Sequence, residues 1–133
     1  MPPRVQWPLS QGRPCVQVIL TLAQTGEILP RTLLADTGAG SQNSRFELVL
    51  DEDDCLHCGG LPGQLINLGG AYTGSFPTYD LLIQLPALGF VQNLRVVAVP
   101  SVPAGLDGIA CFPFLNRFMY GNFGDPSHFG LEL

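Results

Sequence analysis

One carboxylate at the end of an apolar run is the residue best placed to do chemistry in this sequence. Residues 33–41 read LLADTGAGS, so Asp36 follows three apolar residues and precedes Thr37, Gly38 and Gly40. Glycine permits backbone angles and close approaches that a side chain would prevent. Desolvation and neighbouring groups can change the proton affinity of a carboxylate in such a place. The pattern indicates an acid–base site, although an Asp beside glycines is also typical of an ordinary turn.

A second reactive group lies in the segment CLHC. Cys55, His57 and Cys58 could coordinate zinc, with Asp53, Asp54 or His128 as the fourth ligand. One Cys-x-x-Cys motif without a second pair is weak evidence, so a reduced loop with small apolar thiols is the preferred interpretation. A redox disulfide between Cys55 and Cys58 is a further alternative, but no βαβ pattern surrounds the motif. We therefore predict no metal and no cofactor, with zinc at these three residues as the alternative.

The remaining polar groups favour less specific roles. The acidic run 51–54 is interpreted as part of a solvated loop, because it lacks the alternating ligand pattern of a calcium site. His57 and His128 have no accompanying Ser or Cys nucleophile motif, which argues against a triad hydrolase.

Length and composition predict one strand-rich domain. The chain has 133 residues, close to the usual size of one domain. Only 13% of them are charged and 46% are hydrophobic, while 16 are Gly and 12 are Pro. So few charges with so many turn-forming residues favour a compact fold built from strands.

The net charge and the cysteine content indicate which classes of partner and which cellular compartment to expect. The net charge is -5 and there is no basic run, which disfavours nucleic acid as a partner. No apolar stretch approaches the roughly 20 residues of a membrane helix, so we expect no membrane association. The N-terminus has no apolar core typical of a signal peptide. With four scattered cysteines, we therefore expect reduced thiols and a cytoplasmic location.

Alternating apolar residues and turn signals predict the elements that position Asp36. Residues 1–14 are expected to form an extended arm whose prolines block regular pairing, ahead of one domain at 15–133. Residues 51–63 are expected to form a polar loop, and 112–118 one short helix. The predicted strands are 15–22, 27–35, 46–50, 64–68, 78–85, 90–99 and 128–133. The fold class is therefore all-β.

Three motifs in this order resemble the retropepsin-like aspartic proteases, the single-lobe relatives of pepsin. The segment 33–39 (LLADTGA) is similar to the active-site signature of that family. The glycine-tipped hairpin at 64–85 stands where the family has its flap. The segment 106–115 (LDGIACFPFL) is similar to the stretch that passes behind the active-site loop and enters a helix. The resemblance spans residues 15–133 and implies a closed β-barrel or sandwich with one short helix, acting as a homodimer.

The resemblance assigns roles to individual residues. It implies Asp36 as the catalytic residue, and a second loop at Ile109, Ala110 and Cys111, where Cys111 stands in place of the family's Gly. Gly40 separates the signature from Ser41, which we predict to supply the supporting hydroxyl. The active-site loop is completed by Thr37, Gly38, Ala39 and Ser41, and the flap residues that contact substrate are Gly69, Gly70, Ala71, Tyr72, Thr73 and Gly74.

Peptide hydrolysis by this route requires two carboxylates about 3 Å apart that share one proton, because like charges so close cannot both ionise. Asp36 is in the one Asp-Thr-Gly of the chain, so each chain supplies half of a site. A two-fold homodimer would bring Asp36 against Asp36 of its partner. The predicted function is an aspartic endopeptidase acting on polypeptides. The alternative is an inactive dimer that binds peptides or proteins in the same groove.

Overall fold

The computed structural model describes residues 2–133, which form mainly β-strands. Two α-helices, α1 (Glu52–Gly59) and α2 (Phe112–Leu115), and a 3-10 helix (Pro86–Leu88) lie between strands. No helix among the described residues is both long and apolar enough to cross a membrane. The strands are β1 (Arg4–Pro8), β2 (Cys15–Thr21), β3 (Ile28–Ala35), β4 (Leu48–Asp51), β5 (Leu65–Leu68), β6 (Gly74–Leu85), β7 (Phe90–Val99), β8 (Gly108–Ala110), β9 (Met119–Gly121) and β10 (His128–Glu132).

Six strands close into a barrel in the order β2, β3, β8, β4, β7 and β6. The closure is the pairing of Ile19 on β2 with Gln84 on β6. Strand β5 pairs only with the first part of β6, and the two form a hairpin that extends from the barrel. The predicted all-β fold with a short helix after residue 111 is therefore confirmed.

Alternation of apolar and polar side chains explains why the long strands form. On β2, Val16, Val18 and Leu20 are fully buried while Gln17 is exposed. This period of two is what a strand with one buried face requires. The inward-facing side chains of β2, β6 and β7 meet Phe114 and Leu115 of α2 in the main hydrophobic core. Burial of these apolar side chains is the main contribution to the stability of the barrel.

A second, smaller core lies on the other side of the sheet, beneath the β5–β6 hairpin. Its buried members are Val49, Val97, Val99, Ile109 and Cys111. Half-buried side chains of the hairpin pack against these residues; they are Ile66, Leu68, Tyr72 and Phe76. The hairpin is thus held against the end of the barrel at which β3 delivers Asp36.

The N-terminal arm is paired, contrary to the expectation that its prolines would block pairing. Arg4–Pro8 runs antiparallel to β10, which in turn pairs with β9. The four residues from Arg4 to Trp7 contain no proline, and Pro8 lies at the end of an edge strand, where a missing N–H is tolerated. An ion pair from Arg4 to Glu132, 2.6 Å long, joins the two ends of the chain.

The expected polar loop at 51–63 is wrong over residues 51–59, where β4 ends at Asp51 and helix α1 follows. Asp51 caps this helix because its side chain accepts a hydrogen bond from the Asp53 N–H at 2.9 Å. The acidic residues occupy the first turn, where negative charge interacts favourably with the helix dipole. Asp54 also accepts two hydrogen bonds from Arg31 on β3, at 2.7 and 2.9 Å, which fixes the helix to the barrel.

The short strand β8 passes between β3 and β4, parallel to the first and antiparallel to the second. Gly108 makes this possible, because a Cβ there would overlap the carbonyl oxygen of Val49 and lie 2.9 Å from the Leu50 side chain. Only a residue without a side chain allows the three strands to approach so closely. Three residues are too few for a clear alternating pattern, so the sequence did not predict β8 as a strand.

Replacement of Gly108 by Ala is expected to lower the free energy of unfolding by about 2–3 kcal/mol, since overlap with backbone atoms cannot be relieved by a side-chain rotation. Chemical denaturation followed by circular dichroism measures the change. Gly69→Ala is the matched control, because a Cβ at Gly69 would meet no atom within 4 Å. Equal stability of the two variants would contradict the tight packing of β8.

Candidate functional site

Asp36 is positioned by the last residues of β3. The Ala35 N–H donates to the carbonyl of Pro14 at 2.9 Å, and the Asp36 N–H donates to the carbonyl of Ala110 at 3.0 Å. Because Ala110 is the last residue of β8, both neighbours of β3 fix the start of the loop that follows it. Asp36 is half-buried there, with its side chain lining a cleft.

The residues after Asp36 form a tight turn around its carboxylate. Oδ1 of Asp36 accepts a hydrogen bond from the Gly38 N–H at 2.9 Å, and its carbonyl accepts one from the Ala39 N–H at 3.1 Å. A Cβ at Gly38 would lie 3.3 Å from the same Oδ1. Glycine at this position therefore keeps space open beside the carboxylate, and the other oxygen is available to a ligand.

The serine predicted to support the carboxylate is engaged elsewhere. The Ser41 hydroxyl accepts a hydrogen bond from the Asn43 N–H at 3.3 Å, within its own turn. Ser44, which the sequence analysis did not single out, accepts a hydrogen bond from the Ser41 N–H at 2.8 Å and lines the cleft. Gly40 has a φ of +77°, which lets the chain reverse direction and brings Ser44 back towards Asp36. No local spacing pattern specifies the path of this longer turn, so Ser44 could not be predicted.

The predicted second loop lies directly behind the Asp36 loop. The Phe112 N–H donates to the carbonyl of Ala39 at 2.8 Å, and the Cys111 N–H donates to the carbonyl of Glu47 at 3.0 Å. The Cys111 side chain is buried between these segments. Burial raises the pKa of its thiol to about 12, and the nearby Asp36 carboxylate acts in the same direction. A neutral thiol therefore fills the place where the resemblance implies glycine.

The predicted flap faces this loop across the cleft. At its tip, the Tyr72 N–H donates to the Gly69 carbonyl and the Thr73 hydroxyl donates to the Gly70 carbonyl, at 3.4 and 3.3 Å. Tyr72 packs edge to face against Phe76, with 6.4 Å between ring centroids. Burial raises the pKa of the Tyr72 hydroxyl, with a smaller contribution from Cys111. The flap tip is therefore anchored by one aromatic side chain that reaches towards the Asp36 loop.

Together these segments enclose a cleft of about 460 Å³, which we call the Asp36 cleft. Its volume lies within the usual range for binding sites. Three groups of predicted residues meet here: the active-site loop, the flap and the second loop. The lining residues are Asp36, Gly38, Ala39, Gly40, Ser44, Phe46, Val49, Asn67, Leu68, Gly69, Gly70, Ala71, Tyr72, Ile109 and Cys111.

Within the described residues, Asp36 is the single carboxylate that lines the Asp36 cleft. Asp107 has a structural role, since its Oδ2 accepts a hydrogen bond from the Thr32 N–H at 2.9 Å. Asp125 stabilises a turn through Ser127, at 2.6 Å from its hydroxyl. The described residues therefore supply this cleft with one carboxylate and a hairpin on the opposite side. A mechanism that uses two carboxylates needs a second chain.

The Cys-Leu-His-Cys segment lies on α1, away from the Asp36 cleft. Burial raises the pKa of the Cys55 thiol to about 12, with smaller contributions from the acidic residues of the same helix, whereas His57 is exposed. Among residues 2–133, no three His, Cys, Asp or Glu side chains converge in a way that could hold a metal ion. The structure thus gives no support to zinc at Cys55, His57 and Cys58.

Comparisons with known proteins give limited similarity. No protein-family model matches the chain, and no curated protein matches it closely enough to count as a relative. Among solved structures, EIAV protease complexed with the inhibitor HBY-793 is similar, with a TM-score of 0.48 and 17% identity. The alignment covers 79% of this chain and 86% of that chain. Similarity at this level does not establish a shared activity.

The buried Cys111 thiol predicts a dependence of stability on alkaline pH. Its pKa is about 12 in the folded protein and has an ordinary value of 9.0 when exposed. Below pH 9 the thiol is protonated in both states. As the pH rises from about 9 towards 12, the Cys111 thiol ionises in the unfolded protein but stays protonated in the folded one. The free energy of unfolding therefore falls by up to about 1.4 kcal/mol per pH unit.

Denaturation of wild type and Cys111→Ala at pH 8, 9 and 10 measures this effect. The variant is expected to lose less stability than wild type between pH 9 and 10, because every other titrating group is common to both proteins. Parallel losses in the two proteins would show that the Cys111 thiol is not buried as described.

Proposed function

We propose that this protein is an aspartic endopeptidase that hydrolyses peptide bonds as a homodimer, with Asp36 of each subunit as the catalytic pair. One observation carries the proposal. Asp36 of the Asp-Thr-Gly turn presents a carboxylate oxygen to a cleft that a glycine-tipped hairpin covers from the opposite side. An acid–base group beneath a closable lid is what hydrolysis of an extended peptide requires.

The proposed reaction uses a water molecule held between the two Asp36 carboxylates. The ionised carboxylate accepts a proton from this water as its oxygen attacks the carbonyl carbon of the peptide bond. The protonated carboxylate donates a hydrogen bond to the carbonyl oxygen, and a proton is then transferred to the leaving nitrogen. The two carboxylates can hold these different protonation states because their proximity prevents both from ionising.

The flap and the loop turns would position the substrate. The flap tip at 69–73 would close over the peptide and exclude water from the reacting carbonyl. Tyr72 would remain packed on Phe76 of the same hairpin as it moves, which preserves the shape of the flap tip. Gly38 leaves its backbone accessible beside the carboxylate, where an extended peptide could form hydrogen bonds.

The state of Thr37 supports the homodimer. Thr37 is exposed beside Asp36, and its hydroxyl forms no hydrogen bond with the chain described by residues 2–133. In a two-fold dimer this hydroxyl would bond to the opposite loop and hold the two carboxylates at a fixed distance. Its exposure in one chain is what that role requires.

Because its cysteines are present as reduced thiols, we propose that the dimer works in the cytoplasm on polypeptides.

The second candidate function is an inactive dimer that binds peptides in the Asp36 cleft. Cys111 is the observation that favours it, because its thiol is buried beside Asp36 where the resemblance implies glycine. Such a side chain would widen the distance between paired loops if it pushed the Asp36 loop outward. Cleavage assays and binding assays separate the two functions.

Replacement of Asp36 by Asn is expected to abolish hydrolysis while leaving the fold intact, because the amide cannot accept the proton from water. The rate on an unfolded protein substrate should fall by about 1,000-fold or more. Asp53→Asn makes the same chemical change at an exposed position of α1 and should retain wild-type activity. If Asp36→Asn and wild type cleave equally fast, Asp36 is not the catalytic residue; if wild type cleaves no substrate from acidic to neutral pH, the binding function is favoured.

The proposal also predicts the molecular mass of the active species. Sedimentation equilibrium at the concentrations used for cleavage should give about twice the chain mass of 14.3 kDa. Activity should increase with the square of protein concentration below the dissociation constant of the dimer, because two chains build one site. Full activity in a purely monomeric sample would contradict the paired mechanism.

A further inference from the structure

The arginines of this acidic protein are unevenly distributed. All six of its basic residues are arginines, and Arg45, Arg95 and Arg117 line one pocket of about 380 Å³. We call it the arginine pocket. Glu47 is the single acidic residue that lines this pocket, and Asp80 pairs with Arg95 from outside the lining. This pocket is therefore lined by more positive than negative charge, in a protein whose net charge is -5. The other residues that line it are Ser44, Phe46, Pro113 and Asn116.

Two of the three guanidinium groups retain free hydrogen-bonding capacity. Arg117 is paired with both carboxylate oxygens of Glu47, through two hydrogen bonds of 2.5 and 2.8 Å. Arg95 has one bond of 3.4 Å to Asp80, and both side chains are well exposed, so water competes effectively for this pair. Arg45 is exposed, and its guanidinium has no ion pair or hydrogen bond with residues 2–133. The free cations of the pocket are therefore Arg45 and, in part, Arg95.

The arginine pocket is adjacent to the Asp36 cleft. Ser44 and Phe46 line both of them, and Arg45 lies between these two residues in the chain. The Glu47 N–H donates to the Arg95 carbonyl at 2.9 Å, which holds β7 and its arginine against this segment. A peptide side chain in the Asp36 cleft that contacts Ser44 or Phe46 would therefore also lie beside the arginine pocket.

We propose that the arginine pocket binds the carboxylate of an Asp or Glu side chain in the polypeptide that occupies the Asp36 cleft. The inference rests on the proposed function, since it names the class of substrate for the same cleft. A guanidinium presents paired N–H donors that match the two oxygens of a carboxylate, and Arg45 has all of its donors free. The protein is thereby selective for polypeptides with an acidic residue at one fixed distance from the bond that is cleaved.

The overall charge explains why a dedicated pocket is needed. A net charge of -5 repels an acidic peptide at long range. Within a Debye length, the charges nearest to the peptide make the largest contribution to its electrostatic energy. With Arg95 paired to Asp80 and Arg117 to Glu47, Arg45 adds one positive charge without an ion pair beside the shared wall of the two depressions. None of the described residues that line the Asp36 cleft itself is an arginine, so the preference is confined to the one or two peptide positions beside the arginine pocket.

The test uses decapeptides with a central Leu-Phe pair and Glu placed at each other position in turn. Each has a matched peptide, its Gln twin, with Gln in place of that Glu. Binding to the Asp36→Asn protein is measured by fluorescence anisotropy, so the result does not depend on cleavage. At one or two positions, Glu is expected to bind about 5-fold more tightly than Gln, the upper range for an exposed ion pair.

Variants at the pocket and outside it identify the source of this preference. Arg45→Gln should remove the difference between the Glu and Gln twins, whereas Arg45→Lys should retain part of it through charge alone. Arg4→Gln is the matched control, because it changes the net charge equally and Arg4 lines neither pocket. The preference should also weaken as the salt concentration rises.

The possible outcomes separate this inference from the proposed hydrolysis. Glu preference without cleavage by wild type supports the pocket and overturns only the enzymatic function. Equal binding of all twins overturns the pocket, even if the peptides are cleaved. In parallel, inorganic phosphate is titrated into the protein by calorimetry. If phosphate binds saturably, Arg45→Gln abolishes this binding and the peptides show no preference for Glu, the pocket binds a free anion. That result overturns the inference. Absence of any peptide binding overturns both.

Discussion

The candidate site depends on the close packing of β8 between β3 and β4. Gly108 allows this strand to pass within backbone contact of Val49, and its last residue, Ala110, accepts a hydrogen bond from Asp36. The same short segment continues into Cys111, which closes the floor of the Asp36 cleft. One steric constraint therefore determines where the carboxylate lies, what supports it from behind and which side of the sheet faces the Asp36 cleft.

Two differently supported elements, the barrel and the β5–β6 hairpin, lie on opposite sides of Asp36. The barrel strands and α2 are buried in the main core, whereas the flap is a two-stranded hairpin fixed mainly through Tyr72 and its apolar neighbours in the second core. Two-stranded hairpins have little stability of their own, so their position is set by such side-chain anchors. The acid thus lies at the end of a barrel strand beneath a hairpin that is held by few side-chain anchors, which is the arrangement that the proposed function uses.

Much of this fold could be predicted from residue patterns, and the errors have physical reasons. Long strands such as β2 and β7 alternate clearly, and the Asp-Thr-Gly segment indicated the position of the acid loop. Helix α1 was missed because its acidic first turn resembles a solvated loop, although Asp51 and the following acids are a favourable helix start. Ser44, Phe46 and the arginine pocket depend on the path of the loop after Gly40, which no local pattern specifies.

The distance between the two Asp36 carboxylates in the assembled protein tests the central claim most directly. A crystal structure of the protein at the pH of highest activity would measure it. The account predicts a two-fold dimer in which the nearest Asp36 oxygens are about 3 Å apart, with Cys111 of each chain buried behind its own loop. A monomer, or a dimer in which the two Asp36 carboxylates are too far apart to share a proton, would contradict it.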